Sequence, residues 1–236
     1  MGFEHGTMVS VEDLFFNVPA RLKFLKSAQT EFFYCYNYFV DAALWHYDKE
    51  RVMKKNDKVS FDVKPVTDLK DRIGDLFKKD WKKNLSTFEV QRGEMKLSGV
   101  VSDASLRFGS GENIKMYVNG RPVQDKIMRK ALMDAYHRQI TPGEYPFVVL
   151  MLELDAKLVD VNVHPAKLHV KFADSKGVYD AVYGTISEVL GGKRIAHTTS
   201  THNHPHFSSI TPSLRSPPYQ GDKTMEIPIF STPDRG

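Results

Sequence analysis

The stretch PFVVLMLELD, residues 146–155, does most to limit how this chain can fold. Its apolar residues are continuous rather than alternating, which suits a strand buried on both faces. No apolar run in the chain is long enough to span a bilayer. Composition agrees with a packed core: of 236 residues, 41% are hydrophobic and 26% charged. That length allows one large domain or two small ones. The opening residues MGFEHGTMVSVEDLFF lack a charged region followed by an apolar one, so no signal peptide is expected. A single cysteine, Cys35, excludes an internal disulfide framework and fits a reducing compartment. It lies in an aromatic run and is expected to be a small buried residue.

On both sides of the continuous run, strand and helix periods alternate. TMVSVED, 7–13, alternates at period two and reads as a strand. Asn17 is a candidate helix cap with Pro19 in the first turn, predicting a helix from Pro19 to near Ser27. A second helix is predicted from about Glu31 to Tyr47, its apolar positions Phe32, Tyr36, Phe39, Val40, Ala43, Leu44 and Tyr47 recurring at helical spacing. Further strands are expected at 58–65, 86–91, 95–102 and 113–118, with a connecting helix in DLKDRIGDLFKK between the first two. Helices are expected at 122–139 and 176–190, and the halves of VDVNVHPAKLHVKF, 159–172, are strand-like around a His-Pro-Ala-Lys break. From Gly191 the sequence becomes rich in Ser, Thr, Pro, His and Gly without sustained period, the composition of a disordered linker or tail.

The formal net charge of +4 becomes informative only if the basic residues gather on one surface. On a helical wheel of 122–139, Ile127, Met128, Ala131, Leu132 and Ala135 share one arc. Lys126, Arg129, Lys130 and His137 fall on the opposite arc together with Met133, with Asp125 and Asp134 at its edges and Arg121 just before the helix. A solvated surface helix would read the same way. An arc so nearly all basic can also contact phosphates, giving sequence-independent, salt-sensitive binding.

Other candidates carry less. No phosphate-binding loop, HExxH, nucleophile elbow or paired-cysteine zinc spacing occurs, so a self-contained active site is not expected. His197, His202, His204 and His206 follow no structural zinc spacing, and weak adventitious metal binding is the expectation. The aromatic run EFFYCYNYF, 31–39, could stack bases, but its helical spacing reads as core. Lys167, beside the kink that Pro165 imposes, is either an exposed turn lysine or a compact charge held for a phosphate.

Three stretches taken together resemble the MutL family of DNA mismatch repair proteins. GTMVSVEDLFFNVPARLKFLKSAQTEF, 6–32, looks like that family's Gly-Thr strand and Asn-x-Pro-Ala-Arg helix. YVNGRPVQDKIMRKAL, 117–132, looks like the strand and basic helix of its second domain. VDVNVHPAKLHVKF looks like its lysine loop. The resemblance runs from Gly6 to about Leu190.

It implies an α+β chain of four parts. Residues 1–64 would be the C-terminal remnant of a GHKL-type ATPase sandwich and 65–83 a connecting helix. Residues 84–192 would be a transducer of the ribosomal-protein-like βαβ type with a left-handed crossover, against the usual right-handed rule. Residues 193–236 would be a tail. Lys167 would reach the terminal phosphate of ATP, stabilising charge and closing the site, and Thr7 matches the last ATPase motif. Arg121, Lys126, Arg129 and Lys130 would contact DNA.

The implied cofactors are ATP and Mg2+. The implied partners are double- and single-stranded DNA, a MutS-type mismatch recognition protein, and a second copy or an ATPase half, with no membrane. The location would be cytoplasmic in a bacterium and nuclear in a eukaryote. Against the pattern, the sequence holds no Asn/Glu helix, Asp-x-Gly-x-Gly loop, Gly-rich lid or C-terminal dimerisation and endonuclease region. Leu22 stands where a basic residue is common. The chain alone is therefore expected neither to hydrolyse ATP nor to hold it stably. Alternatives are a transducer-type module of another GHKL relative, such as a topoisomerase subunit, or an interaction module with no nucleotide role; the VNVHPAK setting favours MutL.

Overall fold

The continuous apolar run becomes a strand near the middle of a five-stranded sheet, in a computed structural model that describes residues 6–160 and 169–192. The helices are α1 (Pro19–Leu22), α2 (Ala28–Trp45), α3 (Leu69–Leu76), α4 (Lys126–Tyr136) and α5 (Ser175–Leu190). The strands are β1 (Arg51–Lys55), β2 (Lys58–Val63), β3 (Leu85–Arg92), β4 (Met95–Ser102), β5 (Arg107–Phe108), β6 (Ile114–Val118), β7 (Arg121–Val123), β8 (Tyr145–Pro146), β9 (Val148–Glu153), β10 (Val159–Asp160) and β11 (Lys171–Phe172). The main sheet runs β3-β4-β9-β6-β7, with β9 antiparallel to β4 and parallel to β6. A parallel pair needs a crossover, and α4 lies within the connection from β6 to β9.

Because side chains alternate along a strand, β9 feeds two cores. Val148, Leu150 and Leu152 face one, where α4 and α5 supply Met128, Leu132, Val182 and Ile186. Val149 and Met151 face the other, where α2 and α3 supply Val40, Leu44, Ile73 and Leu76. Each fully buried aliphatic side chain contributes about 1.5–3 kcal/mol relative to exposure. The continuous pattern is thus explained by helices on both faces. The second core draws on both sides of residue 64, joining Val40, Leu44 and Val63 to Phe147. Tyr117, fully buried on β6, donates its hydroxyl to Asp41 O of α2 at 3.2 Å, and Asp41 also pairs with Lys115 at 3.1 Å. Burial, with the Asp41 carboxylate beside it, pushes the Tyr117 phenol well above its usual range.

Arg72 of α3 is fully buried and donates Nη2 to Tyr47 O, Lys49 O and Lys64 O at 2.8, 2.9 and 2.8 Å. One guanidinium nitrogen therefore stitches the chain entering β1 to the chain leaving β2. Burial pulls the pKa of Arg72 below the ordinary arginine value.

Several expectations change. Residues 7–12 form no strand, and Met8, Val9 and Val11 are exposed. A lone strand gains nothing from alternation without a neighbouring edge to pair with. The first helix is one short turn whose cap position is Val18, without a side-chain cap, so Asn17 does not cap it. The second helix starts earlier, at Ala28, because Ser27 accepts from Thr30 N. Cys35 is exposed, and most of the aromatic run is half-buried. Tyr36 and Phe39 pack on Phe61 of the β1–β2 hairpin at ring distances of 4.7 and 5.7 Å, and full burial begins at Val40.

The expected connecting helix is α3 followed by a 3-10 turn over Lys79–Asn84. Three strands went unforeseen: β1, the two-residue β5, and β7. β1 pairs with β2 through Asn56 and Asp57, and β7 pairs with β6 through Asn119 and Gly120, all four residues at positive φ as tight hairpin turns require. β7 occupies the start of the expected 122–139 helix. Its Pro122 is tolerated because β7 is an edge strand. Among the described residues no helix is long and apolar enough to cross a membrane.

Candidate nucleic-acid interface

The basic arc sits on α4, and its position follows from three local choices of sequence. Asn119-Gly120 turns the chain from β6 into β7, where Arg121 pairs in register with Val118. Gly120, at φ 80°, faces the Trp45 ring; a Cβ there would lie 3.2 Å from Trp45 Cε2. Asp125 then caps α4, its Oδ1 accepting from Ile127 N at 2.9 Å and Met128 N at 2.8 Å. Met128, Ala131, Leu132 and Tyr136 bury the inner side of the helix. Tyr136 donates its hydroxyl to Ser102 O at 2.5 Å, and burial raises its pKa strongly.

The four expected DNA-contacting residues are not equivalent. Lys126 is exposed in the first turn of α4 and makes no ion pair with a described residue. A cation there opposes the helix dipole, so its position does nothing for the helix. Arg121 is half-exposed on the edge strand. Arg129 is half-buried and donates Nη2 to Gly111 O at 3.2 Å. Lys130 is exposed but engaged: it pairs with Asp134 one turn on, and its ammonium lies 5.5 Å from the Tyr179 ring centroid. Tyr179 in turn donates to Asp134 at 2.6 Å. The Lys130 hydrogen bond, then that of Tyr179, hold the Asp134 carboxyl below its usual range, and the Asp134 partner raises Lys130. His137 is exposed at the far end.

The other expected residues are separate from this group. Thr7 is exposed in the N-terminal segment, and no nucleotide cradle surrounds it among the described residues. No group of three metal-ligating side chains occurs there either. Lys167 and the four tail histidines lie outside the described residues. The stem on which Lys167 is carried is described: β10 and β11 pair Val159 with Phe172 and Asp160 with Lys171. His169 places Nδ1 2.9 Å from Gln124 O, next to the cap of α4.

Sequence reading missed Asp134 and Tyr179 as partners of Lys130, and the link from His169 to Gln124. The i,i+4 spacing of Lys130 and Asp134 was a visible signal for the first. Nothing local in sequence announces a contact 45 residues away.

A basic helix laid in the crossover of an α+β sheet, with helices on the sheet's second face, defines a class for which relatives exist. The family described as "DNA mismatch repair protein, C-terminal domain" matches residues 73–191. The chain is 35% identical over 196 residues to the DNA mismatch repair protein MutL of Syntrophobacter fumaroxidans, across 83% of this chain and 29% of that protein. It is 37% identical over 197 residues to MutL of Rhizobium rhizogenes, across 82% of this chain and 32% of that one. A crystal structure of the N-terminal domain of a DNA repair protein shares the fold at TM-score 0.60 and 22% identity, across 75% of this chain and 59% of that one. The chain belongs to the MutL family of DNA mismatch repair proteins. It spans less than a third of the length of these two curated relatives.

Proposed function

We propose that this chain is the DNA-contacting and phosphate-sensing part of a MutL-type mismatch repair ATPase. α4 and the β6–β7 turn would meet the DNA backbone through Lys126 and Arg121, with Arg129 and Lys130 beside them. Lys167 would be offered to the terminal phosphate of ATP held by GHKL-type residues outside this chain. The observation that carries the reading is the exposure of Lys126, held in place by the Asp125 cap and lacking an acidic partner among the described residues. Residues 7–25 would pack against the nucleotide-binding half, with Thr7 contributing there. In this reading the β6–α4–β9 crossover is left-handed, as in the family. A MutS-type mismatch recognition protein is the protein partner that the family implies.

Two chemical consequences follow. Contacts to phosphate are sequence-independent and release counterions, so affinity falls steeply with salt. A lysine ammonium at the terminal phosphate stabilises charge and transfers no proton. The test is duplex binding at low and raised salt. Lys126→Glu with Arg129→Glu should weaken binding at least about tenfold and flatten the salt dependence. Unchanged binding would remove α4 from the interface.

A further inference from the structure

The stem of the segment that carries Lys167 is tied to the start of α4 in a way the proposed function does not require. Val159, Val170 and Phe172 are buried in the same core as Met128 and Leu132, so stem and helix share one packed interior. Between Val170 and the 161–168 segment, His169 Nδ1 lies 2.9 Å from Gln124 O. A carbonyl only accepts, so His169 donates through Nδ1–H. Gln124 immediately precedes Asp125, whose carboxylate accepts from the Ile127 and Met128 amides. The path from the stem to the first turn of α4 is one hydrogen bond, one peptide unit and one cap.

We propose that His169 is a positioning residue that couples the β10–β11 stem to α4. It holds Gln124, and through it the Asp125 cap and Lys126. An event that displaces the stem then alters how Lys126 is presented, and DNA held at α4 is felt at the stem, because coupling between two sites is reciprocal. This rests on the reading that α4 contacts DNA. The link itself is a contact of this fold and can be measured without DNA.

The experiment uses the whole chain with His169→Ala, with His169→Gln (whose amide can donate to Gln124 O) and with Lys126→Glu. Amide exchange at Ile127 and Met128 is read first. His169→Ala should speed it about fivefold, the scale of one lost hydrogen bond, and His169→Gln should restore it. Duplex DNA is then titrated while the amides of residues 170–172 are followed by NMR. Wild type should show DNA-induced shifts there; His169→Ala should lose them while still binding DNA, about threefold more weakly. Unchanged exchange at Ile127 and Met128 in His169→Ala, or undiminished DNA-induced shifts at 170–172, overturns the coupling. If wild type binds no DNA, or Lys126→Glu binds as well as wild type, the proposed function fails instead, and the exchange result still decides whether His169 holds the cap.

Discussion

Two stretches with the same texture end in opposite states. TMVSVED at 7–13 and MKLSGVVS at 95–102 both mix apolar and small polar residues at strand spacing. In β4, Leu97 is fully buried between β3 and β9. In the N-terminal segment, Val9 is 80% exposed and no strand forms. Alternation encodes a capacity to pair; whether it is used depends on a neighbouring edge and a surface to cover. β4 has both among the described residues. The 7–13 segment has neither, and Phe16 and Phe24 beyond it are also exposed, at 76% and 77%. This is the surface that the proposed nucleotide-binding half would cover.

Substitutions should separate the two regions sharply. The largest effect is expected at Gly99 of β4, where φ is 144° and an added Cβ would lie 1.9 Å from Val149 O. Gly99→Ala should cost about 4 kcal/mol or more by forcing β4 away from β9, read by urea unfolding. Leu150→Ala, at a fully buried position of β9, should cost about 2–5 kcal/mol. Arg72→Met should cost about 2–3 kcal/mol by leaving the Lys49 and Lys64 carbonyls without their donor. Its amide exchange should rise first in residues 46–66. Near-uniform acceleration across the sheet would instead make Arg72 part of the global core.

Smaller effects sharpen the surface side of the comparison. Asp134→Asn releases Lys130 and removes an acid from the basic face. It should tighten duplex binding about threefold at low salt and leave the urea midpoint nearly unchanged, since Lys130 is exposed and the pair is screened by solvent. The pH dependence has a fixed sign. The Asp134 carboxyl is lowered from 3.8 by Lys130 and Tyr179, so its contribution is complete above that value and is lost as pH falls through the depressed one. Titration between pH 6 and 8 should leave the pair intact. Smallest of all, Val9→Ser should change stability by less than about 0.5 kcal/mol, because little is buried there to lose.

What sequence could show divides along the same line. β9 was legible because it carries its whole environment in its own pattern: a continuous run means cover on both faces, and α2, α3, α4 and α5 provide it. β4 and α5 were legible through their own periods. β1 and β7 were missed although Asn56-Asp57 and Asn119-Gly120 are hairpin turns, because each strand is short and β7 carries a proline. The basic arc of α4 was visible on a wheel. That Arg129 would be spent partly on Gly111 O and Lys130 on Asp134 was not, since those pairings depend on how the 3-10 turn at Gly111–Asn113 and helix α5 pack against α4. The 7–13 segment was misread for the opposite reason: its pattern is real, and its partner is not among the described residues.

Residue-resolved amide exchange, read at a concentration where sedimentation finds a monomer, tests the contrast most directly. Strong protection is expected at 97–101 and 148–152, with exchange near the unprotected rate across 7–13. Protection of 7–13 comparable to β4, in a monomer, would contradict it, showing that this chain completes the N-terminal strand by itself.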